Sequence, residues 1–112
     1  MSLHKGDLVL LPFPFTDLSA TKVRPAIVLW TNQIDVTVCF VSSQNLDNIS
    51  SEEFIIEENN PEFKQTGLKI QSKVIVSKLV TIQGNLITRR LGHLGVNYLA
   101  KLDQCLRNTF QL

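Results

Sequence analysis

Cysteine is scarce in this 112-residue chain: Cys39 and Cys105 are the only two. Cys39 sits inside an apolar run and Cys105 inside a helical pattern, so both read as small core residues with free thiols rather than as a disulfide. Neither has a second ligand at metal spacing, and His4 and His93 lie far from both and from each other, which gives a zinc site no support. No apolar run reaches the roughly 18 to 20 residues that span a bilayer. Residues 1–7 lack the apolar stretch and the small-residue cleavage site of a secretory signal. The expected location is therefore the cytoplasm, with no membrane partner. Disorder is excluded too, because 44% apolar and 19% charged residues are ordinary globular values. A chain of this length holds one hydrophobic core, and one domain over residues 1–112 is expected.

A strong excess of charge of one sign is also lacking, the formal net charge being +1. The distribution says more than the sum. Asp47, Glu52, Glu53, Glu57, Glu58 and Glu62 form an acidic block, and Lys64, Lys69, Lys73, Lys78, Arg89 and Arg90 form a basic one. A basic face and an acidic face would let a near-neutral molecule attract a polyanion locally. Solvated surfaces without a partner account for the same pattern.

What is present is strand signal over the first two thirds. Residues 7–11 are a short apolar run closed by Pro12-Phe13-Pro14-Phe15, where two prolines remove ladder donors. Residues 16–22 read as a loop. Residues 25–30 and 36–41, rich in β-branched and aromatic side chains, read as a hairpin around a turn at 31–33. Residues 53–57 form a further strand, 61–64 a helical turn begun by Pro61 and ended by Gly67, 73–82 a long strand, and 87–94 a last one after the Gly84-Asn85 turn. From Val96 the period changes: Val96, Leu99, Leu102, Leu106 and Phe110 fall at helical steps, and one stripe is expected to pack on the sheet. Gly95 is a weak N-cap. The class is mainly β with a C-terminal helix, suggesting a small, strongly bent barrel.

The segment Lys5-Gly6-Asp7-Leu8-Val9-Leu10-Leu11-Pro12-Phe13-Pro14-Phe15-Thr16-Asp17-Leu18, followed by Lys22-Val23-Arg24-Pro25-Ala26-Ile27-Val28-Leu29, resembles the opening of the MazF/PemK family of toxins of type II toxin-antitoxin systems. Lys78-Leu79-Val80-Thr81-Ile82, Arg89-Arg90-Leu91-Gly92 and the helix from Val96 are similar to further blocks of that family, in the same order. The resemblance implies an SH3-like barrel of the MazF/PemK/CcdB-like kind and a homodimer. It implies an endoribonuclease that cleaves single-stranded RNA at short sequences without a metal or other cofactor, and a cognate antitoxin as partner.

Such cleavage uses the ribose 2′-OH as nucleophile, and the protein must stabilise charge on a five-coordinate phosphorus. Arg24 matches the arginine of the family's Arg-Pro motif, and its planar, permanently charged fork suits phosphate oxygens. Ser42 matches a position where the family places a Thr or Ser on the scissile phosphate; a strand-end serine bonding to nearby backbone is the plainer alternative. Arg24 and Ser42 are the expected catalytic residues, and Thr21, Lys22, Ser43, Gln44 and Lys78 the expected RNA-binding ones. Phe13, Phe15 and Trp30 are candidate stacking platforms, although large aromatics beside apolar strands are expected as core or dimer contacts. His4 and His93 are expected as surface or structural residues. Ser77 stands where many relatives carry a carboxylate, and Ile75 where some carry an arginine. Neither replaces the missing charge, so a non-catalytic toxin-like module that binds antitoxin, RNA or a protein target is the alternative, and a generic SH3-like interaction domain a third.

Overall fold

The computed structural model describes residues 1–12 and 22–112. Phe13, Phe15 and Thr21, and most of the expected loop at 16–22, lie outside the described residues. The elements follow in the order β1 (Asp7–Pro12), β2 (Val23–Thr31), β3 (Asp35–Ser42), β4 (Glu53–Ile56), α1 (Phe63–Thr66), β5 (Ser72–Gln83), a 3-10 turn (Gly84–Leu86), β6 (Arg89–His93) and α2 (Val96–Phe110). Six strands form one antiparallel sheet in the order β4-β5-β3-β2-β1-β6. The expected hairpin is β2–β3, and the expected barrel is a curled sheet carrying a C-terminal helix. No helix among the described residues is long and apolar enough to cross a membrane.

Both faces of the sheet are covered, which explains why its strands read as near-continuous apolar runs. Successive residues alternate between two cores. Leu8, Ile27, Cys39, Val41, Val74 and Val76 face a cluster that includes Tyr98, Leu102 and Cys105 of α2. Val9, Ala26, Val28, Val38 and Ile82 pack into a second cluster with Leu11, Val36 and Ile87. Both cysteines are buried and free. Burial pushes the Cys39 thiol up to about 12, so it behaves as an inert core group.

The buried stripe of α2 is rotated from the expected one. Tyr98, Leu102 and Cys105 are buried, whereas Val96 is 75% exposed and Phe110 45%. Tyr98 stands one turn before Leu102 on the same face and goes inside, where its hydroxyl finds a partner. It accepts the Glu57 N–H at 2.9 Å. The N-terminus of α2 is capped from a distance. Glu62 accepts the Asn97 and Tyr98 backbone N–H groups, each at 3.1 Å, and the Asn97 side-chain amide at 2.9 Å. A carboxylate there satisfies orphan donors and complements the helix dipole. Gly95 makes room for it, since a Cβ at that position would stand 2.5 Å from the Glu62 carboxyl carbon. The α1 segment carrying Glu62 also lies hard against β6: a Cβ on Gly92 would stand 2.2 Å from the Gln65 carbonyl oxygen.

Replacing Glu62 by alanine is expected to lower stability by about 1 kcal/mol, as loss of a helix cap does. Gly92→Ala should cost more, about 2 kcal/mol, because the obstacle is backbone that cannot rotate away. Urea unfolding of the two variants measures both effects.

Candidate nucleic-acid interface

Two breaks in the sheet create the site. The first lies between β2 and β3, whose ladder begins at Ala26 paired with Phe40. The residue before it is Pro25, which has no N–H to donate. β2 stays paired to β1 through Pro25, Arg24 and Val23. Arg24 thus stands inside a strand, which begins two residues earlier than the run at 25–30 suggests, yet at a point where no β3 residue is laddered to it. The second break lies between β3 and β5. Cys39 pairs with Leu79 but Phe40 pairs with Ile75, so Val76, Ser77 and Lys78 have no partners in β3. Such bulges bend a strand and re-aim its side chains. Ser77, Lys78 and Leu79 are all exposed there.

Two clefts open at these breaks and share Arg24, Val41 and Ser42. One, of about 220 Å³, is completed by Pro25, Ser43, Gln44, Lys69 and Ser72 among others. The other, of about 420 Å³, is completed by Phe40, Ile75, Lys78, Leu79 and Val80. Five of the seven expected site residues are therefore brought together: Arg24, Ser42, Ser43, Gln44 and Lys78. Lys22 is exposed and lines neither cleft, and Thr21 lies outside the described residues. Ser42 fills its plainer role as well, because its hydroxyl oxygen accepts the Gln44 N–H at 3.1 Å. Accepting that bond leaves the hydroxyl proton to donate. Lys69 joins the site without having been singled out in the sequence. It stands in the basic block, but nothing in the spacing separates a cleft lysine from any other.

The two charge blocks are not wholly segregated. Lys73 is buried and lies 3.2 Å from Glu53, whose side chain is 12% exposed, so one member of each block is spent on the other. Arg90 meets the buried Asp7 carboxylate at 3.4 Å, Glu62 caps α2, and Glu58 accepts the Gln71 N–H. Lys69 and Lys78 remain at the clefts. The Lys73 ammonium also donates to the Asn45 carbonyl at 3.1 Å, pinning the segment that follows Ser42, Ser43 and Gln44. Asn45 adopts a left-handed φ of 55°, a conformation that asparagine tolerates and this anchor helps hold. Trp30 is 51% exposed, so it is not a core residue, which leaves a dimer contact of the two commoner fates. His4 and His93 are exposed. Among the described residues no group of three or more His, Cys, Asp or Glu gathers where it could hold a metal ion.

The sequence model of the PemK-like, MazF-like toxins of type II toxin-antitoxin systems matches residues 4–110. The chain belongs to this family. Solved structures of similar fold include the Mycobacterium tuberculosis toxin MazF-mt6, with a TM-score of 0.72 at 20% identity, covering 95% of this chain and 97% of that one. An endoribonuclease in complex with its cognate antitoxin, from a mycobacterial species, gives a TM-score of 0.73 at 13% identity, covering 99% and 97%. A further mycobacterial endoribonuclease gives 0.72 at 14% identity, covering 100% and 94%. At these identities the likeness is one of fold. No curated protein shows significant similarity to the chain. Within the PemK/MazF-like family, Gly6 and Asp7 of the opening block serve the framework here. Gly6 takes a φ of 94°, and Asp7 accepts the His4 N–H at 2.8 Å.

Burial by itself raises the Glu53 carboxyl, but the Ser50 N–H and the Lys73 ammonium outweigh it and hold the group below its ordinary value near 4.5. A depressed carboxyl contributes stability that is whole above the ordinary value and is lost as pH falls through the folded one. Below about pH 4.5 the parent should lose stability that Glu53→Gln does not lose. At neutral pH, Lys73→Met should cost about 2 kcal/mol in urea unfolding, because it removes the partner of a half-buried carboxylate and the bond to the Asn45 carbonyl. A cost within about 0.5 kcal/mol would place the pair among weak surface ion pairs.

Proposed function

We propose that this chain is the toxin of a type II toxin-antitoxin pair and acts in the cytoplasm as a metal-independent endoribonuclease on single-stranded RNA, as a homodimer restrained by a cognate antitoxin. The observation that carries the reading is the meeting of Arg24, Ser42 and Lys78 around two joined clefts at the breaks in the sheet. Family membership supports it, as does the fold shared with proteins described as endoribonucleases, one of them bound to its antitoxin.

In this reading the ribose 2′-oxygen attacks the adjacent phosphorus and the bond to the 5′-oxygen breaks, leaving a 2′,3′-cyclic phosphate and a 5′-hydroxyl. Arg24 and Lys78 hold the equatorial oxygens, where negative charge builds, and Ser42 donates its hydroxyl proton to one of them. Neither cleft is lined by Asp, Glu or His among the described residues. In this reading the 2′-OH proton passes to hydroxide from solvent and the leaving oxygen takes one from water, with electrostatic stabilisation of the phosphorane supplying the acceleration. The same composition, with Ser77 exposed beside Lys78, favours the second reading, a module that binds RNA, antitoxin or a protein target without cutting.

The test is a long single-stranded RNA incubated with purified protein in EDTA, with new 5′ ends mapped. Discrete cuts by the parent are expected, reduced about 100-fold or more in Arg24→Ala, as when one oxyanion donor is lost. Full activity in that variant would remove Arg24 from the mechanism, and no cutting by folded, antitoxin-free parent would leave the binding module. The cleavage rate should rise steadily from about pH 5 to 8, without the bell that a paired protein acid and base produce.

A further inference from the structure

The two clefts differ in chemistry, although both are walled on one side by Arg24 and Ser42. The smaller carries hydrogen-bonding groups: the Gln44 amide, the Ser43 hydroxyl and the Lys69 ammonium. The larger is walled by Ile75, Leu79 and Val80, with Lys78 as the polar group it does not share with the first. Leu79 is 43% exposed, an apolar side chain left in solvent beside a charge, while Ile75 and Ile82 of the same strand are buried. The Cys39–Phe40 register break is what presents it.

We propose that these clefts are nucleotide subsites on the two sides of the scissile phosphate. The recess at Gln44 selects one base by its hydrogen-bonding edge, and the cleft at Leu79 takes the neighbouring base by its face. The proposal rests on the reading of Arg24 and Ser42 as the phosphate site, because only then does a phosphate sit where the clefts join.

A volume of about 420 Å³ falls in the range of small-ligand sites, about 300 to 1,000 Å³, and its apolar wall suits the flat face of an unstacked base. An apolar wall discriminates by size and stacking and offers little to a donor–acceptor pattern. Gln44, in contrast, offers both a donor and an acceptor at fixed separation, as an edge reader must. Its position is locked to the phosphate site from both sides: its N–H is bonded to the Ser42 hydroxyl, and the carbonyl of Asn45, the residue after it, is held by Lys73. Misplacing the base at Gln44 would therefore disturb Ser42, which couples selectivity to the reacting phosphate.

The consequence is an asymmetric recognition sequence. At the Gln44 position one base should dominate; at the Leu79 position a size class, purine or pyrimidine, should be preferred without a single dominant base. The experiment is selection of bound sequences from an RNA pool with a randomised centre, every ribose carrying 2′-fluorine so that no 2′-OH can attack. Parent, Gln44→Ala and Leu79→Ser are compared, each shown to be folded by its circular dichroism and thermal melt; both side chains are exposed, so the fold should survive.

Parent should enrich two neighbouring positions. Gln44→Ala should lose about tenfold enrichment at the one-base position and keep the other, and Leu79→Ser should do the reverse. Variants that flatten both positions together, variants that change neither, or a parent that enriches no position would each overturn the proposal. Cleavage of ordinary RNA is scored apart from this: enrichment as described, with RNA left uncut, would refute the ribonuclease reading and leave the subsites standing.

Discussion

Between Cys39 and Phe40 the ladder joining β3 to β5 loses step, because Val76, Ser77 and Lys78 have no partners across from them. Much else depends on that loss of register. An unbroken β5 would run flat along β3 and present alternate residues to the two cores. With the bulge, its first half pairs with β4 and the end of β3, and its second half with the start of β3. The turn between the halves puts Lys78 and Leu79 in solvent and opens the apolar cleft. The missing β2–β3 pairing before Ala26, next to Pro25, completes the gap from the other side and gives Arg24 its place. Local disruption of pairing in a sheet otherwise covered on both faces is a common way to make a site without thinning the core.

Charge is organised around the same constraint. A barrel this small has little interior in which to hide ions, and the buried ones described here are paired. Lys73 ties β5 to Glu53 of β4 and to the carbonyl of Asn45, so the strand that bulges also anchors the segment bearing Gln44. Asp7 and Arg90 bind the start of the chain to β6, and Glu62 ties the α1 segment to α2. The charged side chains that line the clefts are all cationic among the described residues, which is how a chain of net charge +1 can present a local attraction for phosphate.

Most elements were legible in the sequence because both sheet faces are buried: runs such as 36–41 and 73–82 signal strands whichever face each residue takes. The bulge is marked in the sequence only by the polar pair Ser77-Lys78 inside the run at 73–82, which reads equally as the solvent-facing part of a continuous strand. Arg24, Ser42, Gln44 and Lys78 were legible only through a family resemblance, and the structure then brought them together. The buried stripe of α2 runs through Tyr98, Leu102 and Cys105, helical in its steps but turned away from Val96 and Phe110, which are exposed; the hydroxyl of Tyr98 finds a backbone partner inside. The capping of α2 by Glu62 was invisible because β5 and β6 lie between the two along the chain. Lys69 and Lys73 look identical in composition; only folding sends one to a cleft and the other into an ion pair.

The central claim is that the disrupted pairings, rather than any other surface, hold the RNA. It is tested most directly by the backbone amide NMR shifts of isotope-labelled protein titrated with a short, uncleavable 2′-fluoro RNA. The account predicts that the changes concentrate at residues 24, 42–44, 69 and 76–80 and weaken as salt is raised. Changes centred on the outer face of α2 or on β6, with the β5 bulge silent, would contradict it.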